Sequence, residues 1–438
     1  MKILKKSIAV LIALILVSGS LVCFAADDSK QYHNYEKVLL LGDSQASGYS
    51  DYRDIYSEFC YVEESYAAYL AKDLGAELLP FACPGFRTIE LRYMLDDNYA
   101  GDDRLFNAVP SLPREAFEAS KPYIRQAIKD ADLITIGIGG NDWGAYLTWI
   151  MASVQLENKL PEEFRNELTK FLKNASFDDN MIAKLIEIAD YCNALDELAA
   201  ALPEAMSYGV RNMRTNWNYI VEYIYENNPD VTLMAIGMFA GDYKTNKGEP
   251  DVIIESDPLT SAIENYIVDF GNEHVLLNQE KYGYIFVDTK GTIVEESHPT
   301  VAGHRYIADR ILEELPDARF DLTDIRAGQA NYKAVEYMYI NGLMNADEDK
   351  AFNGNDAMTN ADFSAFMSNY NADYTASTST KAVTLAEVKL AAFMTAENKT
   401  ISDLFNLLKS LGKLFVTNNA FAPATRVQVA AEFYSYIR

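Results

Sequence analysis

Lys37-Val38-Leu39-Leu40-Leu41-Gly42-Asp43-Ser44 is a short apolar run that stops at a tight polar turn. Residues 37–41 read as a buried strand, after which glycine, aspartate and serine redirect the chain. The same alternation continues downstream. Residues 64–74 have helical spacing, 77–81 read as a second strand, 86–95 as a helix and 133–138 as a third strand. A fourth strand at 231–238 precedes a helix at 259–273, then come a fifth strand at 284–288 and a closing helix at 301–315. Strands that alternate with helices in this way predict an α/β fold, a parallel sheet covered on both faces. Ligands bind such sheets beyond the carboxyl ends of the strands, where Ser44 and Asn141 fall.

At 438 residues the chain exceeds one ordinary domain. The strand pattern defines a first domain at 36–316. Within it, 143–228 is an insertion of helical pattern between the third and fourth strands. Trp143, Tyr146, Leu147 and Ile150 repeat there at helical spacing, a stripe that suits either a core face or the wall of an acyl pocket. Composition shifts near Pro316, so 320–438 reads as a second, smaller and mainly helical unit, with a polar link at 371–381.

Residues 1–25 have the parts of a secretory signal: Lys2, Lys5 and Lys6, an apolar stretch at 8–17, and Cys23-Phe24-Ala25 as a cleavage segment. Export is expected. The net charge of -26 argues against nucleic acid and anionic lipid as partners. Cys60, Cys83 and Cys192 remain after the signal, so at least one thiol stays unpaired within the chain. A Cys60–Cys83 bridge and three free thiols are both open readings. No spacing suits zinc, and no metal or cofactor is expected.

A serine hydroxyl needs a base to take its proton, and acyl transfer needs donors aimed at the developing oxyanion. Ser44, at a strand-to-helix turn, offers a hydroxyl and its own N–H. His298 precedes Pro299, which favours extended backbone and sets the imidazole on a loop before the closing helix. Asn141, in Gly139-Gly140-Asn141-Asp142, supplies a carboxamide, and Gly85 brings a backbone N–H close because it lacks a side chain. Asp43 is read as holding the turn, His304 as structural, and His33 and His274 as surface residues. The chain lacks G-x-S-x-G, which excludes a standard α/β-hydrolase elbow.

The blocks Gly42-Asp43-Ser44-Gln45-Ala46-Ser47-Gly48, Gly85, Gly139-Gly140-Asn141-Asp142 and Ser297-His298-Pro299 resemble, in order, those of the SGNH/GDSL hydrolases. The resemblance covers 37–315 and implies a flavodoxin-like, three-layer α/β/α sandwich. It further implies Ser44 as nucleophile, His298 as general base, and the Ser44 N–H, the Gly85 N–H and the Asn141 carboxamide as the oxyanion hole. The family places aspartate three residues before the histidine. Glu295 stands there in this chain, with Glu296 as the other candidate acid.

A second resemblance lies downstream. Phe320-Asp321, Tyr332-Lys333-Ala334-Val335-Glu336-Tyr337-Met338, Gly342-Leu343-Met344 and Phe352 are similar to a surface-layer homology repeat, and such repeats bind cell-wall polysaccharide. Met358-Thr359-Asn360-Ala361-Asp362-Phe363 stands where that family has Thr-Arg-Ala-Glu, with Asn360 replacing the arginine. Ala424-Thr425-Arg426-Val427-Gln428-Val429 is the same segment of a second repeat, and about two repeats are visible. The expected protein is a secreted, wall-associated serine ester hydrolase acting on lipid esters or acylated glycans. An O-acetylesterase of wall or dietary polysaccharide and a catalytically silent wall-binding protein are the alternatives.

Overall fold

Val38 to Leu41 are wholly buried, as a central strand covered on both faces requires. In chain order the described strands are β1 (Lys37–Gly42), β2 (Glu77–Ala82), β3 (Leu133–Gly137), β4 (Thr232–Ile236), β5 (Tyr243–Asn246), β6 (Glu249–Glu255), β7 (Ile285–Val287), β8 (Ile293–Glu295) and β9 (His298–Pro299). The computed structural model describes residues 30–49, 59, 61–99, 112–142, 195–239, 243–246, 249–255, 258–295, 298–370, 379–395, 410–411 and 422–437. The chain divides into two compact units, Asn34–Leu315 and one built mainly from Pro316–Arg438.

In the first unit, β2, β1, β3, β4 and β7 form one sheet in that order, and each neighbouring pair is parallel. Helices α1 (Ser44–Ser47), α2 (Tyr66–Leu74), α3 (Thr88–Leu95), α4 (Arg114–Asp130), α5 (Leu195–Asn227), α6 (Pro258–Tyr282) and α7 (Val301–Glu314) flank it. One helical layer pairs α2 with α7, and the other packs α3 against α4 and α5. Leu39 and Leu41 point into that second layer, where Phe117, Ile124, Trp217 and Ile224 complete the core. The expected α/β sandwich is the observed one.

Three departures have physical causes. β5, β6, β8 and β9 form a second small sheet, order β6-β5-β8-β9, so His298 lies on a strand and not on a loop. The extended backbone that Pro299 favours is what allows that pairing. Helix α6 does not stop near Glu273 but runs through Gly271 and on to Tyr282. The Asn272 side chain there bonds both the N–H and the C=O of Met238, at 2.8 and 2.9 Å, and this tertiary anchor outweighs the low helix propensity of glycine. Helix α4, absent from the expectation, spans Arg114–Asp130 despite Pro122 within it. Trp143 and the stripe after it lie outside the described residues.

The second unit contains α8 (Tyr332–Ile340), α9 (Asn360–Tyr370), α10 (Leu385–Thr395) and α11 (Arg426–Ile437). Its centre is a ring of three backbone bonds. Met358 N–H donates to Ala424 O, Ala424 N–H to Val383 O, and Val383 N–H to Met358 O, at 2.8, 2.8 and 2.9 Å. A threonine follows each, and each threonine caps the next helix reciprocally with Asp362, Glu387 or Gln428. Three equivalent segments are therefore present where two were legible. The third is Thr384-Leu385-Ala386-Glu387.

Candidate active site

Parallel pairing alone gathers most of the candidate residues. The Asp43 N–H donates to Gly137 O at 3.1 Å, and the Cys83 N–H to Gly42 O at 3.0 Å, which carries the β1–β3 and β1–β2 ladders just past the sheet. Ser44, Gly85 and Asn141 follow those three strand ends, where open α/β sheets present their sites. Asp43 caps α1, its Oδ1 accepting from the Gln45 N–H at 3.0 Å, so the cap fixes the turn that presents Ser44. Gly85 sits at φ 78°, in the left-handed region that favours glycine.

Ser44 Oγ and His298 Nε2 lie 3.0 Å apart across 254 positions of sequence. Both are buried, 3 % and 5 % exposed, so the contact is shielded from bulk water. Two elements fix the imidazole's backbone. The β8–β9 pairing holds one side, and Thr300 caps α7 on the other, accepting from the Gly303 N–H at 3.0 Å while its own N–H donates to Ile293 O. The Tyr49 ring lies edge-on to the imidazole, centroids 4.8 Å apart.

The Asn141 Nδ2 donates to Asp43 Oδ2 at 3.3 Å and to Phe86 O at 3.2 Å. That nitrogen thus sits between the residue before Ser44 and the residue after Gly85. Among the described residues, the N–H groups of Ser44 and Gly85 donate to no protein acceptor. Glu295 stands directly across the strand pair from His298, a register that places both side chains on one face. No hydrogen bond joins the two among the described residues, and Glu296 lies outside them.

A polar layer beneath these groups was not legible in sequence. Asp142 accepts from the Thr88 N–H at 3.0 Å and from the Thr88 hydroxyl, which anchors Gly139–Asp142 to the start of α3. Asn216 on α5 donates to the same hydroxyl at 3.4 Å, and Arg92 reaches Asn216 while lying over the rings of Tyr99 and Tyr219. Burial pushes the Asp142 carboxyl up to about 7, against the opposing pull of the Thr88 hydrogen bonds. Burial likewise pushes Asp43 to about 7, with the Gln45 N–H opposing and the Asp142 charge adding. Arg87 and Glu90 form a buried ion pair, Nη2 to Oε1 2.6 Å, at the same end of α3.

Cys83 is buried in the core, and the Cys60 end of the conceivable bridge lies outside the described residues. One minor expectation changes. His274 is half-buried and 3.1 Å from Asn218 Oδ1, not a plain surface residue. Among the described residues no group of three or more His, Cys, Asp or Glu side chains is placed to hold a metal ion.

A buried hydroxyl, an imidazole in contact with it and donors at adjoining strand ends are what acyl transfer to serine requires. Residues 38–311 match the model of the GDSL-like lipase/acylhydrolases. The chain belongs to that family. As a GDSL-like lipase/acylhydrolase it is an ester hydrolase, on the parallel sheet described above. Solved structures similar to it include an extracellular lipase of Streptomyces rimosus, at 17 % identity over 64 % of this chain and 99 % of that one, TM-score 0.35. A phospholipase A1 of Streptomyces albidoflavus NA297 is similar at 17 % identity, with 64 % and 99 % covered and TM-score 0.33. A family two carbohydrate esterase of Clostridium thermocellum is similar at 14 % identity, with 66 % and 65 % covered and TM-score 0.30. Among curated proteins none matches this GDSL-like chain in sequence.

Proposed function

We propose that the protein is a secreted carboxylic ester hydrolase working through an acyl-enzyme on Ser44. Ser44 Oγ attacks the ester carbonyl carbon while its proton passes to His298 Nε2. The tetrahedral intermediate collapses, the bond to the alkoxy oxygen breaks, and the imidazolium returns the proton to the departing alcohol. Water then attacks the acyl carbon and gives a proton to His298, which passes it to Ser44 Oγ as the free acid leaves. The Ser44 and Gly85 N–H groups and the Asn141 carboxamide meet the oxyanion in both halves. Glu295 is the candidate for orienting the imidazole. The observation that carries this reading is the 3.0 Å approach of Ser44 and His298. A fluorophosphonate probe should label the parent protein at Ser44 and leave Ser44→Ala unlabelled; an unlabelled parent rejects the reading in favour of a silent binding protein.

For substrate we infer lipid esters or acyl groups on a glycan. Trp143 and Trp149 in the insertion lean toward a long acyl chain, since an acetyl-only pocket needs less apolar wall. Hydrolysis rates across p-nitrophenyl esters of rising chain length decide this. Activity confined to acetate selects the O-acetylesterase alternative.

We also infer that the second unit is an SLH-like module for wall polysaccharide. The reading is supported by its three Thr-capped segments and by a pocket of about 420 Å³ lined by Arg426, Asp347, Asp356, Asn345 and Asn369. Asn360 and Leu385 hold the corresponding positions of the other two segments, so Arg426 is the cation at that position among the three. Arg426→Ala should weaken sedimentation with wall sacculi, and unchanged sedimentation would dismiss that role.

A further inference from the structure

The contact between Tyr49 and His298 joins the base to the nucleophile by a second route. Gly48 ends α1 at φ 79°, and a Cβ there would lie 2.4 Å from Val62 Cγ2 and 3.0 Å from Ser65 Cβ. Only glycine fits that turn without displacement. The turn brings the chain back so that the Tyr49 N–H donates to Ser44 O at 3.0 Å, the carbonyl of the nucleophile itself. The ring of Tyr49, 4 % exposed, then meets the imidazole with centroids 4.8 Å apart and planes 73° apart. That is the edge-to-face geometry favoured by aromatic pairs. Tyr49 is thereby fixed at its backbone to Ser44 and at its ring to His298.

We propose that Tyr49 is a positioning residue, whose ring sets the rotation of the His298 imidazole so that Nε2 faces Ser44 Oγ. The inference rests on the ester-hydrolase reading above for its kinetic consequence, but not for the ring contact. An imidazole free to turn about its Cβ–Cγ bond spends part of its time with Nε2 away from the hydroxyl. Each such excursion removes the base without changing how substrate binds. Loss of the ring therefore acts on kcat, and the tyrosine hydroxyl is not needed for the effect.

Full-length Tyr49→Leu and Tyr49→Phe are compared with the parent on one soluble p-nitrophenyl ester. Tyr49→Leu should lower kcat roughly tenfold with KM within about twofold, and Tyr49→Phe should restore kcat to within about twofold of the parent. Parent-like kcat in Tyr49→Leu, or equal loss in both variants, overturns the proposal. A second readout does not depend on activity or on a destabilised variant. The chain has four histidines, so His298→Gln identifies the His298 ring protons by NMR. In the parent and in Tyr49→Phe these should be displaced by the neighbouring ring current; values typical of a solvent-exposed histidine overturn the proposal. If the parent shows the displaced resonances but does not label at Ser44, the positioning contact stands and the ester-hydrolase reading fails.

Discussion

The carboxamide nitrogen of Asn141 stands 3.3 Å from the carboxylate of Asp43 and 3.2 Å from the carbonyl of Phe86. Both of its N–H bonds are held, so the group is oriented before any ester arrives. As an oxyanion forms, it competes with these two acceptors for the same protons. Asn141→Ala should lower kcat about 10²–10³-fold with little change in KM, measured by steady-state hydrolysis of a p-nitrophenyl ester. A parent-like kcat removes Asn141 from the oxyanion hole.

Ser44→Ala and His298→Ala should each abolish measurable turnover above the residual catalysis of the remaining site. Glu295 faces His298 in register without a hydrogen bond to it, so Glu295→Ala should lose less than His298→Ala. Identical rates in Glu295→Ala and the parent would take Glu295 out of the mechanism.

Burial raises the Asp142 carboxyl from 3.8 to about 7. A raised carboxyl holds its proton more tightly in the folded state than in the unfolded one. Its contribution to stability is fully present below about pH 4 and is lost as pH rises toward 7. Asp142→Asn keeps one acceptor oxygen for the Thr88 N–H, turns its amide NH2 to the Thr88 hydroxyl oxygen, and removes this titration. Urea unfolding at pH 5 and pH 8 should show a smaller fall in stability for the variant than for the parent. An equal fall in both would mean that Asp142 ionises normally.

Arg87 and Glu90 are almost wholly removed from water and pair at 2.6 Å. Arg87→Ala leaves a buried carboxylate without its cation and should cost about 3–5 kcal/mol in chemical denaturation. Arg87→Met combined with Glu90→Leu should recover most of that loss, because two apolar groups leave no charge behind. A double variant as unstable as Arg87→Ala would show that the deficit lies in packing.

The sheet was legible because runs such as Leu39, Leu40 and Leu41, continuous as in a strand buried on both faces, alternate with stretches of helical spacing. The Ser44, Gly85, Asn141 and His298 positions were legible because each sits in a short motif next to a readable strand or helix. What stayed hidden depends on partners distant in sequence. Tyr243–Asn246 is a short strand whose apolar content is low, and its partner β8 comes about 50 residues later. Pro122 masks the helical spacing of Phe117, Ile124 and Ile128. Leu385 hides the third capped segment, since it carries neither the arginine of Thr425-Arg426 nor the polar asparagine of Thr359-Asn360. No spacing rule places Tyr49 beside His298, or Thr88 beneath Asp142. Those contacts arise only once the strands have aligned.

The trio of main-chain bonds through Met358, Val383 and Ala424 has no first or last member. An array of stacked modules can fray from either end, one module at a time. A closed circuit cannot, because releasing any segment strands an amide on one neighbour and a carbonyl on the other. Cooperativity is thus built into the topology, and this part of the molecule should melt in a single step, with no two-segment remnant persisting after the third is lost.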